Sequence, residues 1–233
     1  MHLRDLVRFL EELEQDNHRA WFVMNKPRYD ILRAEYLELV TALIPQIARF
    51  DPAIASCNPK KALFRINRDM RFSHDKTPYK TFFSASITSS GLKKPSQGGG
   101  PSYYFQINAA GKLLVAAGEW LPPADRLRAI RQRILAEPAE FEKIASNRAI
   151  ATRFGGLQQD GKLTRPPKGF DAAAVGIESI KLKHFIVWRE IAVDGQMPEA
   201  LVKEVLSGFK AAQPLVTWLR AIKTPTSNPA AAG

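Results

Sequence analysis

The chain predicts an α+β fold in which a mainly antiparallel sheet is packed on one face by N-terminal and C-terminal helices. Three observations carry this. Apolar residues recur every three or four positions through the first fifty residues, the rhythm drops to alternation between residues 63 and 118, and helical spacing returns from Pro123 onward. With 233 residues and 45% hydrophobic content, one large core is feasible without disulfides or metal staples.

Leu3, Leu6, Val7, Leu10 and Leu13 place an amphipathic helix over residues 3–15. Asp16 or Asn17 is expected to cap a short second helix carrying Trp21 and Phe22. Pro27 is suited to open a third helix, since its missing N–H is an orphan there. That helix stacks Tyr29, Leu32, Tyr36, Leu39, Leu43 and Ile47 along one stripe, with Pro45 as a candidate kink. Beyond the turns at Asp51-Pro52 and Asn58-Pro59, strands are expected at 63–67, 82–89, 103–108 and 113–118, with Ala109-Ala110-Gly111 as a hairpin loop. Helices follow at 123–135 and 138–145. A last strand is expected over 184–192, and one or two helices broken near Pro214 over 197–222. Residues 1–223 read as a single domain and residues 224–233 as a disordered tail.

The sheet has two unlike faces. One alternation set is apolar (Phe64, Ile66, Phe83, Ala85, Ile87, Tyr103, Phe105, Ile107, Leu113 and Val115) and should meet the helices. The other set holds Arg65, Asn67, Ser84, Ser86, Tyr104 and Gln106, which suits either the floor of a cleft or plain solvent exposure. Ser89 to Pro101, rich in Gly, Ser and Lys, suits either a basic lid or a flexible loop.

The formal charge of +11 is unevenly distributed. Residues 1–59 carry seven basic and nine acidic side chains, net −2, whereas residues 60–80 carry seven against two, net +5. Such a field draws anionic partners without identifying them. Within it Arg65, Arg68, Arg71, Lys76 and Lys80 offer fork and point-charge donors to a carboxylate or phosphate, and Asp69 and Asp75 would orient them, one acting as a candidate base. A set of ion pairs pinning the segment to the sheet is the competing reading. Glu119 and Trp120, where the second hairpin ends, are candidates to face and wall the same cleft; a Trp at a strand end also suits the core.

Other chemistries find weaker support. Ser73 and Lys76 have the Ser-x-x-Lys spacing of some acyl-transfer enzymes, but neither companion motif occurs. The four histidines are not at paired metal-ligand spacing and the single Cys57 has no thiol beside it, so no metal site or cofactor is expected. Gly98-Gly99-Gly100 lacks the Lys-Ser/Thr of a phosphate loop. Without a signal-like N-terminus or a long apolar run, a cytoplasmic protein with no membrane partner is expected.

Several blocks together resemble an uncharacterised family, domain of unknown function 2461. Asn17-His18-Arg19-Ala20-Trp21-Phe22 with Asn25-Lys26 and Tyr29 is similar to its N-terminal signature, and Phe64 to Lys80 to its central one. Tyr103-Tyr104, Gly118-Glu119-Trp120 and Arg165-Pro166-Pro167-Lys168-Gly169-Phe170 extend the resemblance over residues 5 to 215. The resemblance implies a single-domain family member and no particular substrate. It also suggests that Arg19, Trp21 and Lys26 join Arg68, Asp69 and Asp75 at one cleft. The family commonly has Asp-His-Pro after Gly-Phe, where this chain has Asp171-Ala172-Ala173-Ala174. The expected partner is a small anionic ligand, phosphorylated or carboxylate, in a basic cleft, with catalysis undecided. A nucleic acid held by the positive field, Tyr104 and Trp120 is the alternative; salt separates the two, because polyanion binding weakens steeply as salt rises.

Overall fold

The leucine rhythm of the N-terminus folds as expected. In the computed structural model, which describes residues 2–69, 71, 75–90, 100–193 and 198–223, α1 spans Leu3–Gln15 and buries Leu3, Leu6, Phe9, Leu10 and Leu13. The next two expected helices are one. α2 runs Arg19–Ala48 straight through Pro27 and Pro45, capped by His18, whose Nδ1 accepts from the Trp21 N–H at 3.3 Å. Proline removes a backbone bond and normally breaks a helix. Here both prolines are exposed, so the unbonded carbonyls face outward while Phe22, Tyr29, Leu32, Tyr36, Val40, Leu43 and Ile47 hold the opposite side in the core.

Four antiparallel strands follow in the order β1 (Phe82–Ile87), β2 (Ser102–Asn108), β3 (Lys112–Glu119) and β4 (Phe185–Ala192). The β2–β3 hairpin turns at Gly111, whose φ of 62° suits glycine. Residues 63–67, expected as a strand, make only isolated bridges, Leu63 to Ala85 and Asn67 to Tyr79. The Leu63 bridge reverses the expected parity. Leu63 points into the core beside Ala85, and Phe64 turns to the outer face against Tyr104, with ring centroids 6.1 Å apart. Phe64 therefore leaves the apolar set to which alternation assigned it.

The rest of that set is buried as expected, beneath α1, α2 and α8 (Pro198–Ala221). The break expected near Pro214 does not occur. Phe209, Ala212, Leu215, Val216 and Leu219 are buried on both sides of it, and their packing outweighs one missing backbone bond. Gly208 lets α8 lie close to β3: a Cβ there would sit 2.8 Å from Val115 Cγ1.

Between β3 and β4 the chain forms α4 (Ala124–Ala136), α5 (Pro138–Ala145), α6 (Arg148–Phe154) and α7 (Ile177–Ile180). Two ion pairs with buried carboxylates, Glu119 with Arg126 and Asp51 with Arg220, clamp the helices to one another and to the sheet. Arg126 on α4 donates to Glu119 (Nε to Oε1 3.0 Å, Nη2 to Oε2 2.9 Å), to the Leu219 carbonyl at 2.6 Å and to the Ile222 carbonyl, so one guanidinium joins β3, α4 and the end of α8. Asp51 accepts from Arg220 at 2.8 and 2.7 Å and from the Tyr103 hydroxyl at 2.9 Å, tying the end of α2 to α8. No helix among the described residues is long and apolar enough to cross a membrane.

Candidate functional site

Among the described residues, the helices pack on one side of the sheet and leave the other open. Strand register determines what stands there: Ser86 pairs with Tyr104, Tyr104 with Ala116 and Ala116 with Trp188, so these four form a row across the sheet, flanked by Ser102, Gly118 and Ile186. With Phe64 at one rim and Trp120 at the other, they line a cavity of about 380 Å³. That volume lies within the range of small-molecule sites, roughly 300–1,000 Å³. Its walls are mostly aromatic and aliphatic, since Leu114, Ala116 and Ile186 fill the spaces between the rings.

The polar atoms in the groove are few and mostly engaged. The Tyr104 hydroxyl donates to Gln106 Oε1 at 2.6 Å. Burial pushes the Tyr104 phenol up to about 12, partly offset by a bond with Ser84, so it stays protonated at neutral pH. Ser84 and Ser86 are both buried.

Trp120 stacks on His184 with ring centroids 4.0 Å apart, and His184 Nδ1 accepts from the Leu121 N–H at 3.3 Å. Burial, then the charge of Lys183, lowers the His184 pKa and favours the neutral ring, with its proton on Nε2. Leu121 holds φ 49°, a left-handed conformation that costs a branched residue about 1–2 kcal/mol. This strained turn sets Trp120 at the rim, where it remains 43% exposed. Gly118, with φ 121°, lets β3 approach β4 so closely that a Cβ would lie 2.1 Å from the Phe185 carbonyl oxygen.

The cations expected from the central block are mostly engaged in local contacts. Arg68 Nη2 meets Asp75 Oδ2 at 2.9 Å and the Tyr79 carbonyl at 3.3 Å, while its Nε is buried without a hydrogen-bond partner among the described residues. Asp75 also accepts from Thr77 N–H and Oγ1 at 2.9 and 2.7 Å, bonds that hold its carboxyl below the ordinary range. Arg71 grips Asp69 at 2.9 and 3.0 Å and holds that carboxyl well below its usual value. Carboxylates so strongly stabilised as anions are poor proton acceptors, so their geometry suits orienting cations better than general-base work.

Lys80 Nζ donates to the Arg65 carbonyl at 3.2 Å and lies over the rings of Phe64 (5.2 Å) and Phe82 (5.8 Å), beside the Phe64 that lines the groove. Arg65 and Lys76 are exposed.

The other expected site residues fall elsewhere. Glu119 is on the helix-covered side of the sheet, bound to Arg126, whereas Trp120 reaches the groove. Trp21 packs on Phe9 at 5.6 Å, Lys26 pairs with Asp30 on its own helix, and Arg19 is exposed on the first turn of α2. The two signature blocks do meet, through other residues. Asn17 exchanges two hydrogen bonds with the Tyr79 backbone, at 3.0 and 3.1 Å, and Phe22 stacks on Tyr79 at 4.1 Å. The segment expected as a lid lies largely outside the described residues, as do Ser73 and residues 224–233.

The groove residues that sequence reasoning missed are Ile186, Trp188, Leu114 and Ala116. Alternation in β4 does set Trp188 opposite Phe185 and Val187, but only the β3–β4 register shows which residues stand beside it. No group of three His, Cys, Asp or Glu gathers as a metal site among the described residues. Cys57 is buried, and desolvation raises its thiol pKa, away from reactivity.

No curated protein and no solved structure is significantly similar to the chain. A family model, described as a conserved hypothetical protein of domain of unknown function 2461, matches residues 5–218, nearly the whole chain, and the protein belongs to that family.

Proposed function

We propose that the protein binds a small ligand with a flat apolar body and an acidic group in the groove on the uncovered sheet face. The body would lie among Tyr104, Trp120, Trp188 and Phe64, and the acidic group at the β1 rim, where Lys80 sits. The observation that carries this reading is the cavity of about 380 Å³ walled by those four aromatic residues. A face left free of helices would ordinarily be polar on an antiparallel sheet. Aromatic rings standing there favour a face that is covered when a ligand arrives. Lys80 supplies the charge preference, because a cation held near ring faces and a carbonyl is preorganised at little entropic cost.

Two of the four tryptophans, Trp120 and Trp188, line the groove, so intrinsic fluorescence reports its occupancy. Aromatic carboxylates and aryl phosphates should quench or shift the emission saturably, neutral analogues more weakly, and Trp188→Ala should abolish the response in a folded protein. Saturable binding that is unchanged in both Trp188→Ala and Trp120→Ala would refute the assignment.

A second reading has its own support. An uncovered four-stranded sheet bearing aromatic rings is also a platform on which single-stranded bases stack, and a net charge of +11 favours a polyanion. Oligonucleotide binding that falls steeply with salt would select it, because small-ligand binding in a partly desolvated groove depends far less on salt.

A further inference from the structure

The two halves of the groove differ in what they offer a ligand. The β3 and β4 side is apolar, made of Leu114, Ala116, Ile186 and Trp188, whereas the β1 and β2 side presents the hydroxyls of Ser86 and Ser102. The outward positions of β1 and the residue after it carry a hydroxyl at every second place, Ser84, Ser86 and Thr88, and these are 4, 3 and 2% exposed. Burying a hydroxyl without a hydrogen-bond partner is costly, so buried hydroxyls are normally engaged. Ser84 bonds the Tyr104 phenol, and Thr88 accepts from Ser90 at 3.5 Å. Ser86 differs: its side chain makes no hydrogen bond among the described residues, yet it lines the groove.

A buried polar side chain that bonds nothing in the fold and faces a ligand-sized cavity is placed for what enters the cavity. We propose that Ser86 is the specificity-determining contact of the groove, and that the aromatic ligand carries a ring hydroxyl received by Ser86 with Ser102 beside it. This rests on the groove being a ligand site, and it narrows the ligand class to phenols that also bear an acidic group.

Strand register lets the two serines act together. Ser86 pairs with Tyr104, two residues from Ser102, so Ser86 and Ser102 are diagonal neighbours on one face, about 7–8 Å apart at Cα and closer at the side chains. Each hydroxyl can donate or accept. A ligand hydroxyl between them accepts from one and donates to the other, whereas a methyl group of the same size leaves both unpaired. Phe82, over which Lys80 lies, is four residues along β1 from Ser86, about 13 Å. Hydroxyl and acid therefore belong at opposite ends of the ligand, as on a para-substituted ring. A polar group aimed into an apolar groove discriminates chiefly by penalty, because a ligand without the oxygen strands the serine.

Isothermal titration calorimetry of the full chain with 4-hydroxycinnamate and 4-methylcinnamate, equal in charge and close in shape, tests this. The hydroxyl compound should bind at least about tenfold more tightly. In Ser86→Ala that preference should vanish, through weaker binding of the hydroxyl compound alone. Ser86→Cys, similar in size but a weaker hydrogen-bonding group, should retain part of it. The Tm of Ser86→Ala should equal or exceed that of the parent, because no hydrogen bond within the protein is lost. Equal affinities in the parent, or a preference that survives in Ser86→Ala, would overturn the proposal and leave the groove a ligand site. A lowered Tm in Ser86→Ala would overturn it by assigning the hydroxyl to the fold. Binding of neither compound would overturn both this proposal and the groove as a site for aromatic acids.

Discussion

The two faces of the sheet are built from the same strands and obey opposite rules. On the inner face Phe83, Ala85, Phe105, Ile107, Leu113 and Val115 are sealed under α1, α2 and α8, and the cations nearby are locked to buried carboxylates and carbonyls. On the outer face Tyr104, Trp120 and Trp188 surround open space, and the neighbouring ion pairs, Arg71 with Asp69 and Arg68 with Asp75, have exposed carboxylates or arginines. Charge is therefore buried and structural inside, and solvent-facing outside. A basic segment drawing attention in a sequence is not necessarily where charge contributes most to stability. Arg220, half-buried against Asp51, belongs to no charge-rich run.

Substitutions should separate the faces. Phe105→Ala empties a fully buried site and should cost about 3–5 kcal/mol in chemical denaturation, enough to remove most of a domain's stability. Glu119→Ala leaves Arg126 buried without its carboxylate and should cost about 3–5 kcal/mol, although Glu119 is adjacent in sequence to the groove residue Trp120. If it instead removed ligand binding and left the Tm unchanged, the division between faces would fail. Trp188→Ala is the converse, costing about 1 kcal/mol of stability while abolishing the fluorescence response. Leu121→Gly relieves the left-handed strain and should be neutral or stabilising by up to about 1 kcal/mol in a thermal melt, while loosening the hold on Trp120 and weakening binding.

The inner face also predicts a pH dependence. Burial alone would raise the Asp51 pKa, but the bonds from Arg220 and Tyr103 outweigh it and lower it. A folded pKa below the unfolded one gives stability that is complete above about pH 4 and is lost as the pH falls through the folded value. Asp51→Asn should therefore reduce stability at neutral pH and flatten the acid limb of the Tm-against-pH curve. An acid limb identical in slope would show that Asp51 contributes little to it.

Much of the fold was legible because it follows from local periodicity. The leucine spacing located α1, alternation located β1 to β4, and Gly111 marked the hairpin. What failed depends on distant partners. Pro27 reads as a helix start, Pro45 as a kink and Pro214 as a break because the packing that carries α2 and α8 across them comes from the far side of each helix. Phe64 was assigned to the wrong face because its parity follows the Leu63–Ala85 bridge rather than an uninterrupted strand. Of the site, Tyr104 and Trp120 were visible as aromatics near a polar face. Trp188 was not, because β4 is separated from β3 by four helices and its neighbours are set by register alone.

That separation bears on how the molecule assembles. β1, β2 and β3 are joined by local connections and can pair early, whereas β4 must wait for the intervening helices to bring it back. Among the described residues its outer edge is bonded by Gln158, whose N–H donates to the Ile186 carbonyl at 3.0 Å and whose Nε2 donates to the Trp188 carbonyl at 3.4 Å. Since Ile186 and Trp188 ride on this late strand, the groove exists only in molecules whose β4 is docked. A ligand bound there would act as a latch, and amide exchange along β4 should slow on binding more than in β1 or β2.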